Sequence, residues 1–401
     1  MRNKSIIIRG FSSASALGIN KIEILTNYRL RKSFISYKTI GNKFIPVGTI
    51  NENIEKEIKQ LIISEPKLKR LDRTAILALL TSKKAFEESE LTQSDSKLNI
   101  GVSIGSSRGA TSTFESIFSI FDKDPYGKIP INTSPLTTLG NISSTVASYL
   151  KLTGPFISHS STCSTGLQSI ANAIAWLKAG MADVFIAGAS EAPLTPFTIA
   201  QIEALGIYSK DSGVEFPCRP LDSSENPQNT FVLGEAASSF IMQAIDHDKI
   251  NKAQYLVQIE SIGYAFETPP SLTGISSDGK PLIKSMSMAI ENMITDKNID
   301  LILLHAPGTI KGDNAELAAI KQVFGENPPA VFSGKWIMGH TFATSALLNL
   351  ELAILCITQG FIPRFPYPVT VSKIPNKPIK KVMINATGFG GNAMSLIVSA
   401  I

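Results

Sequence analysis

Only three cysteines occur in 401 residues, Cys163, Cys218 and Cys356, and none belongs to a CxxC pair. An odd, widely spaced set excludes a disulfide framework and points to a reducing cytoplasm. Histidine is nearly as scarce: His159, His247, His305 and His340. There is no HExxH, no Cys/His cluster with metal-ligand spacing and no GxxxxGK[ST] loop. Zinc and phosphate-loop chemistry therefore have no support, and no metal site is expected. Heptads, short-period repeats and low-complexity tracts are absent too. No apolar run approaches the ~18 residues that span a bilayer, so membrane insertion is not expected. The three isoleucines before Arg9 are too few for a signal-peptide core, which predicts no export. Net charge is only +5, from 38 basic and 33 acidic residues. That mild excess suits an acidic partner but lacks the concentrated basic face of a nucleic-acid binder.

What is present is ample core material. Hydrophobic residues make up 43% of the chain and mean hydropathy is +0.13, which excludes both a disordered chain and a membrane bundle. The length suits two to three domain equivalents or one large duplicated fold. Short apolar runs alternate with helical patterns, the signature of an α/β protein. Buried strands are expected at IIIRG near the start, IGVSIGSS near residue 100, ADVFIAGASE from Ala182, SSFIMQAI from Ser238, YLVQIESIG from Tyr255, IDLILLHA from Ile299 and KKVMINATGFGG from Lys380. Two helices follow a 3.6 period and stop at glycine, one from Ser164 to Gly180 and one from Phe342 to Gly360. Residues 223–230 and 266–274 read as loops, and the polar stretch around residue 250 as a boundary between two halves.

Four segments could carry chemistry. In SHSSTCSTGLQS, an extended segment (154–161) runs into Cys163 and a helix follows at once. The sulfur thus stands at a helix N-terminus, where free amides and the macrodipole favour thiolate. Two readings stand: a nucleophile on a sharp turn of small residues, or a cysteine packed as a small apolar side chain. Cys218 and Cys356 lack that context and read as packing residues. In LILLHAPGTIKGDNAE, four apolar residues end at His305, which either points into a cleft above the sheet or is a satisfied core histidine. In GKWIMGH, Lys335 and His340 flank an apolar stretch before a helix; His340 is a site residue or merely caps its own turn. Lastly, GFGGNA formally fits a dinucleotide-binding fingerprint, but only eight residues follow Ala393, so no βαβ unit is available. A glycine loop that lets backbone approach a reacting centre fits better.

Taken in order, these segments resemble the β-ketoacyl-acyl carrier protein synthase family of thiolase-like condensing enzymes. The resemblance runs from IIIRGFSSASALG through KRLDRTAILAL, STCSTG, CRPLDSSENPQNTFVLGEAA, HAPGTIKGDNAE and KWIMGH to GFGG, over nearly the whole chain. It implies a five-layered αβαβα fold from two similar halves with mixed sheets: residues 1–250 with the nucleophile and residues 251–401 with both histidines. The implied chemistry is a decarboxylative Claisen condensation. Cys163 would take an acyl group, and His305 and His340, as neutral imidazoles, would stabilise the enolate from a malonyl thioester. Lys335 would orient a histidine. Amides of Cys163 and Phe389 would form the oxyanion hole, with Thr387, Gly388, Gly390 and Gly391 completing the gate. Arg108 and Thr309 would border the substrate pocket. No bound cofactor is implied, because phosphopantetheine arrives on the acyl carrier protein. Lys67, Lys69, Arg70, Lys128 and Lys210, with Arg73 nearby, would dock that acidic protein; Arg70 and Arg73 have intrachain ion pairs as their alternative. A homodimer, or a heterodimer with a paralogous ketosynthase-like subunit, is implied along the sheet edge at residues 154–160.

The sequence departs from the family at four places. Ala306 and Pro307 replace the usual Gly-Thr after the first histidine, which would stiffen that loop and tilt His305. Asn349 stands where a glutamate partners the lysine, leaving Glu316 as a substitute. Thr387 replaces a phenylalanine in the gate. Arg108 occupies a position that is usually small or apolar, so it faces a partner or solvent, or the pocket is short and partly polar. These departures suggest a specialised fatty-acid, polyene or polyketide-like pathway. The alternative function is a non-catalytic, chain-length-setting partner of a ketosynthase heterodimer, although such subunits typically lack the cysteine. The two-histidine pattern argues against a thiolase or starter-type synthase.

Overall fold

Runs rich in Val, Ile and Leu, covered on both faces, become the strands of a ten-stranded sheet in the computed structural model. It describes residues 4–91, 98–211, 213–250, 255–268, 271, 274, 276–293, 295–371, 373–375 and 377–401. Residues 251–254 of the expected boundary, residues 269, 270, 272 and 273 of the expected loop, and the His247 side chain lie outside this set. The first half contributes β1 (Lys4–Ala14), β4 (Ile100–Gly105), β5 (Phe156–Ile157), β6 (Val184–Glu191) and β8 (Ala236–Asp246). The second contributes β9 (Val257–Phe266), β10 (Leu301–Leu303), β11 (Ala330–Phe332), β12 (Lys381–Gly388) and β13 (Asn392–Ser399). A small sheet of β2 (Ser36–Ile40), β3 (Lys43–Gly48) and β7 (Leu233–Gly234) lies apart from it.

Strand order in the first set is β5-β4-β6-β8-β1 and in the second β11-β10-β12-β13-β9. Numbered by appearance within each set, both read 3-2-4-5-1, with the fifth strand antiparallel to its neighbours. One topology thus occurs twice. The sets join where Ile6, Ile7 and Ile8 of β1 pair with Ile259, Gln258 and Val257 of β9.

Helices Thr165–Lys178 and Ser345–Gln359 form the middle layer: the first packs on β4 and β6, the second on β12, and they touch each other. Arg73–Glu88 and Gly140–Tyr149 cover the outer face of the first set, and Lys280–Glu291 with Ile310–Phe324 covers that of the second. The result is the thiolase-like five-layered arrangement. A Cβ on Gly166 would come 2.5 Å from the Ala343 carbonyl, so only glycine lets the middle helices approach this closely.

One expectation needs correction. The stretch Phe342–Gln359 is, by length and composition, long and apolar enough to cross a membrane, and 83% of it is buried inside the protein. Its hydrophobicity belongs to a core helix covered on all sides. The residues after the glycine loop form β13, which pairs with β12 from Gly388–Asn392 to Lys381–Ser399 and is buried along most of its length. The extended segment at 154–161 contains β5, and the other strands absent from the sequence reading, β2, β3, β7 and β11, are two to six residues long, too short for a periodic signal.

Candidate active site

The strand-to-helix turn at Cys163 is held by a ring of short polar side chains. Thr162, immediately before the cysteine, has φ +54°, an uncommon conformation for a β-branched residue. The Thr162 carbonyl accepts from the hydroxyls of Thr165 (2.6 Å) and Ser107 (2.9 Å), and the Ser161 amide donates to Thr165 Oγ1 (2.8 Å). The small residues flanking Cys163 therefore build the turn's own hydrogen-bond frame. From the far end of the chain, the β12–β13 turn presses against this frame. A Cβ on Gly388 would lie 2.0 Å from Thr162 Oγ1, and Asn392 Nδ2 donates to the Phe389 carbonyl at 3.2 Å.

Cys163, His305 and His340 line one cavity of about 610 Å³, together with Thr309, Phe342 and the turn residues Thr387, Gly388, Phe389 and Gly391. The imidazole centroids are 5.3 Å apart with the rings nearly perpendicular. Cys163 is only 8% exposed. Burial pushes its thiol up to about 12 and Glu191 adds to the rise, while Lys335 and Arg108 oppose it. This corrects the expectation of a resting thiolate: loss of solvent outweighs the helix terminus, and the sulfur rests protonated.

His305 is fixed through its own backbone. The Glu316 carboxylate accepts from the amides of His305 (3.0 Å) and Ala306 (2.7 Å) and from Asn385 Nδ2 (3.1 Å). Three successive carbonyls receive side-chain donors: Leu304 from Asn349 (3.0 Å), His305 from Lys335, and Ala306 from Ser333 (2.9 Å). The Ala306-Pro307 departure thus sits in a loop anchored on both edges. Asn349 secures that loop instead of balancing Lys335. Among the described residues no carboxylate lies at ion-pair distance from Lys335, and Glu316 is the acid that acts on it most strongly. Burial pulls Lys335 down to about 8.

His340 is tied on the opposite side of its ring. Its Nδ1 accepts from the Phe342 amide (2.9 Å) and lies 3.2 Å from Ser345 Oγ, while its backbone amide donates to Val232 (2.7 Å). Burial, reinforced by the Lys335 charge, holds both imidazoles well below their ordinary range, so both are neutral. Neutral rings with fixed backbones can donate hydrogen bonds to an anionic oxygen without reorganising.

Several residues stand elsewhere. Arg108 is not among those lining the cavity. Its Nη1 donates to Gln201 Oε1 (2.6 Å) and its guanidinium lies 5.1 Å from the Phe342 ring centroid, so it has a partner within its own chain. Gly390, with φ +89°, also lies outside the lining and serves the turn. Lys335 is outside the lining too, with its ammonium donating to the His305 carbonyl. Lys67, Lys69, Arg70, Lys128 and Lys210 are exposed on the surface. Arg73 is spoken for by Glu55 and Glu235, with Nε 2.9 Å from Glu235. Sequence reasoning missed Phe342, Asn385, Asn392 and Glu191. Of these only Glu191 left a signal, a lone acid ending a wholly buried, mostly apolar strand. Among the described residues no cluster of three or more His, Cys, Asp or Glu could hold a metal ion.

Comparison with known proteins agrees with this geometry. Family models described as Beta-ketoacyl synthase, N-terminal domain and C-terminal domain match residues 30–247 and 258–366. Nodulation protein E of Rhizobium leguminosarum bv. trifolii is 27% identical over 97% of both chains. The 3-oxoacyl-[acyl-carrier-protein] synthase 1 of Buchnera aphidicola subsp. Baizongia pistaciae is 27% identical over 98% of this chain and 99% of its own. A solved structure of a type II PKS acyl-carrier protein in complex with its ketosynthase bound to the hexaketide superposes with a TM-score of 0.86 at 21% identity, covering 100% of each chain. With a cysteine and two neutral imidazoles around one cavity and both family models matched in order, the chain belongs to the beta-ketoacyl synthase family of acyl-transferring condensing enzymes.

Proposed function

We propose that this chain is an active ketosynthase that joins an acyl group on Cys163 to a malonyl unit on an acyl carrier protein, giving a 3-oxoacyl-carrier product. The observation that carries this reading is the convergence of Cys163, His305 and His340 on one cavity. Cys163 first displaces the carrier thiol from an acyl thioester, with the amides of Cys163 and Phe389 holding the tetrahedral oxyanion. Malonyl thioester then enters and loses CO₂. His340 and His305 donate to the enolate oxygen, and the carbanion attacks the acyl-cysteine. Lys335, through the His305 carbonyl, orients that ring and keeps both imidazoles neutral. The thioester already activates the carbon, so no metal or redox cofactor takes part and phosphopantetheine is delivered with the substrate.

The reading extends to a specialised fatty-acid, polyene or polyketide-like pathway. Phe342 walls the cavity beside Cys163, and the Arg108–Gln201 pair stands behind that ring as a polar backstop. A long alkyl chain would have to displace it. Carrier protein docks on the exposed Lys67, Lys69, Arg70, Lys128 and Lys210. The free edge at β5, with Phe156 57% exposed, and helix Thr111–Lys123, with exposed Phe114, Phe118 and Phe121, meet a second copy or a paralogous ketosynthase-like subunit. The setting is cytoplasmic.

Intact mass spectrometry after exposure to a panel of acyl carriers, with Cys163→Ala as control, tests the proposal. The expected result is an acyl adduct on the wild-type chain alone, followed by CO₂ release from malonyl carrier. No adduct from any carrier would favour the chain-length-setting partner. Efficient extension of saturated chains beyond ~12 carbons, which needs an apolar tunnel of ordinary depth, would remove the specialised pathway.

A further inference from the structure

The cavity that begins at Cys163 is almost free of charge. Its polar lining includes Asn229, Ser271, Thr309 and Asn392, and both imidazoles are held neutral. Among the described residues that line it, only Lys311 carries a full charge. Lys311 is exposed, as is its neighbour Ile310 at 40%, whereas Cys163 is 8% exposed. The sulfur is therefore the deep end of the cavity and the ammonium stands at its mouth.

The lysine occupies a place its helix does not favour. It is the second residue of Ile310–Phe324, in the first turn, where the macrodipole opposes a cation. In the last turn of the same helix Lys321 pairs with Glu326 at 3.4 Å, but Lys311 has no ion pair or hydrogen bond among the described residues. The nearest acid in the chain, Asp313, is buried and turned inward. Its carboxylate accepts from the amides of Leu221 (2.9 Å), Gly308 (3.2 Å) and Thr309 (3.2 Å). Asn229 Oδ1 accepts from the Ile310 amide at 3.1 Å. The backbone that carries the ammonium is thus fixed from both sides, and its charge is left for something that enters from solvent.

We propose that Lys311 binds the phosphodiester of the phosphopantetheine arm, so that the site distinguishes phosphorylated from unphosphorylated thioesters. The inference rests on the ketosynthase reading and deepens it. Between its thiol and its phosphate the arm is a linear chain of amides and a hydroxyl with no charge. That order matches the cavity from the inside outward: uncharged polar groups along the wall, then one cation at the mouth. The malonyl carboxylate is the other anion that enters. It is held a single carbon from the thioester carbonyl, so it lies at the deep end, beside Cys163 and the histidines. The phosphate is the anion whose place in the substrate coincides with Lys311, and a charge-assisted hydrogen bond joins the two.

Acylation of Cys163 by S-acyl phosphopantetheine and by S-acyl pantetheine, which differ only in the phosphate, tests this, with adduct formation followed by intact mass. Wild type should favour the phosphorylated substrate about tenfold in kcat/KM, through KM, and the preference should shrink as salt is raised. In Lys311→Gln the ratio should fall to near one, and Lys311→Arg should retain most of it. A merely structural lysine would lower both rates and leave their ratio intact. The wild-type ratio and its salt dependence stand as a test even if a variant does not fold. No phosphate preference in wild type, or a preference as large in Lys311→Gln, would overturn the proposal. A rate lost only with the intact carrier protein, the small-substrate ratio being unmoved, would give Lys311 to an acidic side chain of the carrier instead. A wild-type chain that takes no acyl group from any donor would defeat the ketosynthase reading itself. Calorimetric titration with S-methyl phosphopantetheine and S-methyl pantetheine would still decide the role of Lys311, since equal affinities would overturn it.

Discussion

The backbone amide of Phe342 donates to Nδ1 of His340 at 2.9 Å. An amide can only donate, so this contact selects the Nε2–H tautomer and makes His340 a donor to whatever enters the cavity. The same residue, Phe342, packs its ring under Arg108 at 5.1 Å. One residue therefore sets the polarity of an imidazole and walls the space beside the nucleophile.

Replacing His340 by Ala removes that donor while leaving Cys163 in place. Decarboxylation of malonyl carrier should fall about 10²- to 10³-fold, the usual loss for one oxyanion donor. Acyl-Cys163 formation should change far less. CO₂ release and adduct mass, measured on the same sample, check this; equal losses in both would contradict the donor role.

Lys335 is a buried ammonium pulled down to about 8 by desolvation, with Glu316 opposing the change. Below that pH it is cationic, depresses both imidazoles and favours the Cys163 thiolate; above it, this help is lost. Condensation should therefore decline as pH rises through about 8. Asn349→Glu restores a carboxylate nearby and should move this alkaline limb upward by about one unit. A pH–rate profile of the variant that overlies the wild type would contradict it.

Glu351 lies on the middle-layer helix, near Ser13 and Lys21 and away from Lys335. Burial raises its carboxyl from 4.5 to about 7. The folded state thus binds the extra proton between those values, so this group's favourable contribution is complete below the lower pH and is lost as pH rises through the upper. Glu351→Gln, which cannot ionise, should be the more stable protein by about 3 kcal/mol at pH 8, with the gain shrinking towards pH 5. Urea unfolding at both pH values measures it. The same difference at each would mean that ionisation is not the cause.

Reversing charge at Lys67 and Lys69 together should raise KM for acyl carrier about tenfold and weaken its salt dependence. The kcat with acyl-pantetheine lacking the protein should stay unchanged. A comparable loss with the protein-free substrate would place the defect in the fold, not in docking.

Much of the architecture is local and was legible for that reason. Seven buried strands appear as runs of Val, Ile and Leu, and the two middle helices as 3.6-residue periods ending at glycine, because burial on both faces or along one stripe stamps short-range patterns on a chain. Cys163 announces itself through the small polar residues its turn needs, and His305 and His340 through the segments that present them. The sequence by itself thus determined the main strands, the two central helices and the chemical types at the centre, while the five layers were what the family resemblance implied. What it could not show were relations between groups far apart in the chain. Glu316 reaches the His305 amide and Asn385, Asn349 a carbonyl rather than a lysine, and Arg108 the side chain of Gln201. The charge on Cys163 was misread for the same reason. A helix terminus is visible in sequence, but the exclusion of water from the sulfur is a property of the closed tertiary structure, and that exclusion decides the protonation state.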